Sequence, residues 1–139
     1  MGEIKRFEDL EVWQEARAIV QYVYRATSDH GYSRDFSLRD QVRRAVVSMM
    51  ANIAEGFSRR SNREFVQYLF IAKASAAEVQ SHFYVALDQG YVSQEQFREL
   101  YDRIDRYARQ VSALITYLLG THHPKTQQTQ QTQSTQQTP

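Results

Sequence analysis

Apolar residues recur at steps of three and four along four successive stretches of the chain, and proline is absent from all four. That period lays a continuous apolar seam along one side of a helix. The first seam is Leu10, Trp13, Ala16, Val20, Val23 and Thr27, with Glu8, Glu11 and Glu15 off it, and it ends near Ser28 to Gly31. The second is Leu38, Val42, Ala45, Met49, Ile53 and Phe57, for which Ser37 and Asp40 predict the N-cap and an acidic first turn. Ser61 and Glu64 fit a capping box, in which hydroxyl and carboxylate each satisfy a free backbone N–H. They precede a third seam, Phe65, Leu69, Ala72, Ala76, Val79, Phe83 and Ala86, which runs to Gly90. Ser93 and Gln96 repeat the capping pattern before Phe97, Leu100, Ile104, Tyr107, Val111, Leu114 and Leu118, with Gly120 as the expected C-terminal cap.

Connections of only a few residues hold consecutive helices antiparallel. The expected fold is therefore all-α, an antiparallel up-down-up-down four-helix bundle over residues 1–120 with crossings near about 20°. A three-helix alternative, with helices two and three continuous through Gly56, stays open. Residues 121–139 are rich in Gln and Thr and lack the apolar side chains that would offset ordering entropy, so this C-terminal tail is expected to be disordered.

Composition narrows the chemistry. A chain of 139 residues is one domain's worth of sequence, and about 120 residues suffice for a single core. Absence of cysteine excludes disulfides, zinc-thiolate sites and thiol nucleophiles. The N-terminal stretch Met1 to Arg6 is short and charged, and no apolar run approaches the roughly 20 residues of a membrane span, so a soluble cytoplasmic protein without membrane contact is expected. Glu78 and His82 are four apart, whereas di-iron bundles use Glu-x-x-His, and His30, His122 and His123 fall in a turn and the tail, so no metal is expected. The five glycines form neither a Gly-x-Ser-x-Gly elbow nor a phosphate-cradling loop. No catalytic residue, cofactor or small-molecule substrate is therefore expected, and Glu99 with Arg103 and Asp102 with Arg106 read as ordinary i,i+4 surface pairs.

Charge changes the picture more. The formal net charge is +1, but residues 34–77 carry eight basic against four acidic side chains, while residues 1–33 and 78–120 each carry four against six. Arg59, Arg60 and Arg63 crowd the segment after helix two, and Arg39, Arg43 and Lys73 complete the candidate nucleic-acid contacts, because clustered guanidinium groups bind phosphates and release counterions. A solvated face with intramolecular partners is the competing reading. A second polar group borders the seams, with Arg44, Ser48, Asn52 and Glu55 on helix two and Ser75 and Glu78 on helix three. These six read as a structural network in which Arg44 pairs with Glu55 or Glu78. Further apolar stripes, Val12, Ile19 and Tyr22 on helix one, Val47, Met50 and Ala54 on helix two, and Val66, Phe70 and Ala77 on helix three, suggest either a homo-oligomer or wide faces inside one thick monomer.

Several of these residues occur together in a known order. Phe7-Glu8-Asp9-Leu10, Val12-Trp13 and Ala16 are followed by Leu38, Gln41, Arg43-Arg44-Ala45 and Ser48, then by Asn52-Ile53-Ala54-Glu55-Gly56, Arg60, the run Ala72 to Ser75, and Glu78. Over about residues 7–119 this resembles the small bacterial four-helix bundle proteins encoded in intervening sequences of large-subunit ribosomal RNA genes. The resemblance implies a cytosolic ring-shaped homo-oligomer, with five copies favoured, and no known reaction. That family is similar in fold to the basic accessory proteins of diversity-generating retroelements, which contact nucleic acid and a reverse transcriptase; the present chain differs from them in its near-zero net charge. The combined expectation is a non-enzymatic bundle that binds RNA or a nucleic-acid-processing partner, with a protein-interaction module as the alternative.

Overall fold

The computed structural model describes residues 3–121, so the expected disorder of the tail and the pair His122-His123 lie outside the described residues. A 3-10 turn at Phe7–Asp9 leads into α1 (Glu11–Ala26), a short α2 (His30–Arg34), α3 (Phe36–Phe57), α4 (Asn62–Asp88) and α5 (Gln94–Thr121). The four long helices pack in the cyclic order α1, α3, α4, α5, each against its two neighbours, and the α3–α4 interface is the most extensive. The up-down-up-down bundle is thus formed, with α3 and α4 as separate helices.

Local chemistry sets the boundaries. Gln96 N–H donates to Ser93 Oγ at 3.0 Å and Ser93 N–H to Gln96 Oε1 at 2.8 Å, a complete capping box. Ser61 Oγ accepts from Glu64 N–H at 3.2 Å, but the Glu64 carboxylate turns to the Arg60 N–H at 3.3 Å, one residue before the cap. At the end of α4 the Tyr91 N–H bonds to Ala86 O and the Gly90 N–H to Leu87 O, the paired bonds that close a helix through a left-handed residue. Gly90 has φ +76°, where a Cβ would be strained. Gly120, by contrast, lies inside α5 rather than capping it.

Two boundaries differ from the sequence expectation. The N-cap of α3 is Asp35, whose Oδ1 accepts from Leu38 N–H at 3.2 Å; Ser37 is already helical and its hydroxyl accepts from Gln41. Ahead of it, α2 carries Tyr32, fully buried and packed 5.9 Å from Phe83 and 5.4 Å from Tyr91, so that it closes one end of the core. Tyr91 donates to Asp35 Oδ2 at 3.0 Å and ties the α4–α5 connection to the same corner. That bond raises the Tyr91 hydroxyl pKa, since the acceptor carboxylate favours the protonated phenol.

The seams meet in one core that includes Val23, Val42, Met49, Ile53, Leu69, Val79, Ile104 and Val111. Tyr107 is buried among them and donates to Met49 O at 2.8 Å, and burial pushes its hydroxyl well above the usual phenol pKa. The additional apolar stripe of helix one is absorbed here: Val12 and Ile19 are buried and Tyr22, half-buried, donates to Gln96 O at 3.0 Å. A helix flanked by two neighbours buries a face wider than one seam, and Val66 on α4 is buried for the same reason. Arg103 pairs with Glu15 across α1 and α5 at 2.9 Å, not with Glu99 on its own helix.

Candidate nucleic-acid interface

The six candidate phosphate contacts fall into separate groups. Arg39 and Arg43 sit in the first two turns of α3, at the end of the bundle that holds the C-terminus of α1. Arg43 donates from Nε to Thr27 Oγ1 at 2.8 Å, lies within reach of Tyr24 O and Ser28 Oγ, and covers the Tyr24 ring at 4.4 Å. A guanidinium there satisfies the free carbonyl end of α1 and opposes its negative dipole. Arg39 pairs with Asp40 at 2.9 Å, donates to Ser33 O at 3.1 Å and stacks on Phe36. Both are half-buried and carry intramolecular partners.

At the other end, Arg59 and Arg60 occupy the α3–α4 connection and Arg63 the first turn of α4, and all three are exposed. The guanidinium of Arg59 bonds to the Tyr68 hydroxyl and lies over its ring at 4.8 Å. None of the three forms an ion pair among the described residues. Arg43 lies in the second turn of α3 and Arg59 beyond its last turn, so the two groups stand at opposite ends of that helix. Lys73 lies elsewhere again. It is half-buried two turns before Gln80, whose amide bonds to Tyr101 O and Asp105 on α5, and so it belongs to the α4–α5 side.

The exposed end is built by close helix approach. A Cβ on Gly56 would stand 2.7 Å from Tyr68 Cβ and 2.8 Å from Phe65 Cδ1, so only glycine lets the last turn of α3 lie this near to α4. Asn62 donates to Leu118 O at 3.3 Å and brings the end of α5 to the same place. The 3-10 turn packs on α1 and α3 there too, which puts exposed Lys5 and Arg6 at this end.

Half of the expected polar network forms. Ser48 Oγ and Ser75 Oγ are 2.8 Å apart across the α3–α4 interface, and Asn52 Nδ2 donates to Ser48 Oγ at 2.8 Å and to Ser48 O at 2.9 Å. Arg44 pairs with neither Glu55 nor Glu78: it is exposed, and Glu78 instead meets His82 at 3.2 Å. The reason is angular. Ser48 and Asn52 turn toward α4, whereas Asp40, Arg44, Val47, Ala51 and Glu55 form the solvent-facing line of α3. Beside that line an open cleft of about 480 Å³ is bounded by Tyr24, Asp40, Arg43, Arg44 and Val47.

The outer face of α4 was not legible in full from the seams. Phe70 (52% exposed), Ile71, Ala74, Ala77, Tyr84 (50% exposed) and Val85 all face solvent, although Tyr84 also touches Phe97 and Tyr101 of α5. Of the helix-three stripe expected from sequence, Phe70 and Ala77 belong to this face and Val66 does not. The missed signal was the spacing of Phe70-Ile71, Ala74, Ala77 and Tyr84-Val85, steps of three and four with one of seven across Ser81.

No group of three or more metal-binding side chains occurs among the described residues, and no helix among them is long and apolar enough to cross a membrane. Fold and site together define a small antiparallel four-helix bundle with three exposed arginines, Arg59, Arg60 and Arg63, at one end. A family model described as 23S rRNA-intervening sequence protein matches residues 8–113, and the chain belongs to that family. In fold it is similar to the crystal structure of a protein of unknown function from the S23 ribosomal protein family of Bacteroides thetaiotaomicron. The TM-score is 0.68 at 20% identity, over 75% of this chain and 97% of that one. Among curated proteins none matches.

Proposed function

We propose that this protein is a non-enzymatic, cytoplasmic homo-oligomer, with five copies favoured, that binds RNA through the basic end formed by Arg59, Arg60 and Arg63. The observation that carries the reading is that these three arginines are exposed and form no ion pair among the described residues, with Arg59 alone held by Tyr68, while Arg39 and Arg43 are half-buried and bonded within the chain. Exposed guanidinium groups without a carboxylate partner keep their charge available for phosphate. The contact is therefore narrower than the sequence suggested, with Arg39, Arg43 and Lys73 outside it.

Binding of a stem-loop RNA measured across a salt series tests this. Each phosphate contact contributes about 0.7 to 0.9 to the slope of log affinity against log salt, so replacing Arg59, Arg60 and Arg63 by alanine should lower the slope by about 2 to 3. Replacing Arg39 should leave it unchanged. Undetectable or salt-independent binding of the wild type refutes RNA recognition. The second reading, a protein-interaction module, is favoured by the apolar outer face of α4; under it the triple variant changes assembly or partner binding and leaves RNA aside.

A further inference from the structure

We infer that the RNA held at the Arg59 end of the bundle is single-stranded, with one unpaired base stacked on the Arg59 guanidinium where that group covers Tyr68, and with Arg60 and Arg63 on the neighbouring phosphates. The inference rests on the RNA-binding reading and names the class of RNA. Residues 55–64 carry Glu55 and Glu64 beside the three arginines, a net charge of only +1. So small an excess holds a polyanion weakly through charge alone, and an uncharged contribution has to come from elsewhere. A stacked base supplies one.

Arg59 is placed for it. Its backbone N–H donates to Gly56 O at 3.1 Å, and the close approach at Gly56 brings Tyr68 of α4 within reach of the side chain. The guanidinium lies over the ring at 4.8 Å and donates to the Tyr68 hydroxyl, yet the residue stays exposed. Arg39 and Arg43 also cover aromatic rings, but both are half-buried, one paired with Asp40 and the other bonded to Thr27. A guanidinium is flat and weakly hydrated, so with a ring on one side and no carboxylate partner it offers a surface on which a base can lie. Only an unpaired base has a free face, since within a duplex both faces are covered by neighbouring pairs. The footprint agrees. Double-stranded RNA is gripped at points spread over about 16 base pairs, whereas Arg59, Arg60 and Arg63 fall within five residues, which suits a few nucleotides of a loop or free strand.

Fluorescence anisotropy with matched RNA probes tests it: a short strand without self-complementarity, the same strand annealed to its complement, and the same strand carrying abasic sites in place of its bases. Wild type should bind the full strand about tenfold tighter than the abasic one, the ratio expected of one stacked base, and tighter than the duplex despite the duplex's doubled charge. Arg59→Lys keeps the charge and loses the plane. It should lose the preference for the full strand while the slope of affinity against salt stays as in wild type. Far-UV circular dichroism checks that the variant folds, and the abasic comparison on wild type needs no variant at all. Equal affinity of wild type for the full and abasic strands, a preference for the duplex, or a folded Arg59→Lys protein that discriminates like wild type overturns the stacked base while RNA binding stands. A wild type that binds none of the probes at low salt overturns both.

Discussion

Replacing Gly56 by alanine should destabilise the protein, although the same change at most helical glycines stabilises it. Gly56 lies in the last turn of α3 at an ordinary helical φ, so intrinsic propensity alone predicts a gain of up to about 1 kcal/mol. The added methyl, however, would stand 2.7 Å from Tyr68 Cβ, 2.8 Å from Phe65 Cδ1 and 3.3 Å from Phe65 O. The Phe65 ring can rotate, but Tyr68 Cβ is fixed to the backbone of α4, so relief requires the two helices to part. Overpacking of this kind costs about 1 to 3 kcal/mol, which at least offsets the propensity gain and leaves a net loss of up to about 2 kcal/mol. Urea unfolding monitored by circular dichroism measures it as a lower midpoint with unchanged slope. Gly120, with nothing within 4 Å of its would-be Cβ, serves as the control and should gain stability or stay level on the same substitution. A Gly56→Ala variant more stable than wild type would refute the close-approach argument. The basic connection depends on that approach, so the variant should also weaken RNA binding at constant salt slope.

Other expectations follow from buried hydroxyls and caps. The Tyr32 hydroxyl is buried without a hydrogen-bond partner among the described residues, so Tyr32→Phe should stabilise by about 1 kcal/mol, whereas Tyr107→Phe, which removes the bond to Met49 O, should cost about 1 kcal/mol in the same urea assay. Burial raises the pKa of both phenols in the folded state. The unfolded chain therefore loses their protons first as pH rises past about 10, and each should remove about 1.4 kcal/mol of stability per pH unit above that point. Stability below pH 9 should be unaffected by them, and each Phe variant should flatten the alkaline decline. Ser93→Ala breaks the complete capping box of α5 and should cost about 1 kcal/mol, more than Ser61→Ala, where the reciprocal carboxylate bond goes elsewhere.

The long helices were legible because seam spacing and caps are local signals, and Ser61, Ser93 and Gly90 act where the sequence put them. What escaped depends on contacts distant in sequence. The short α2 holds only five residues and exists because Tyr32 fits between Phe83 and Tyr91, which no window of local sequence contains. Asp35 displaces Ser37 as cap because its second oxygen is also bound by Tyr91. The partners of the candidate contacts escaped for a related reason. Composition registers arginines but not their partners, and Arg43 is held by Thr27, sixteen residues earlier. Arg44 erred the other way: its spacing to Glu55 and Glu78 allowed a pair, but the rotation of α3 set by Ser48, Ser75 and Asn52 turns it outward.

That hydroxyl and amide cluster also fixes how far the basic end stands from the outer face of α4. Sliding α4 along α3 by one turn would break the Ser48–Ser75 bond and strand Ser75, so the height of the loop above the helix stripe is a constant of the molecule. In any assembly around a single axis, every copy then presents its three arginines on the same rim. The particle would have a charged crown on one side only, and a ligand bridging several subunits would gain avidity from geometry that no single chain possesses.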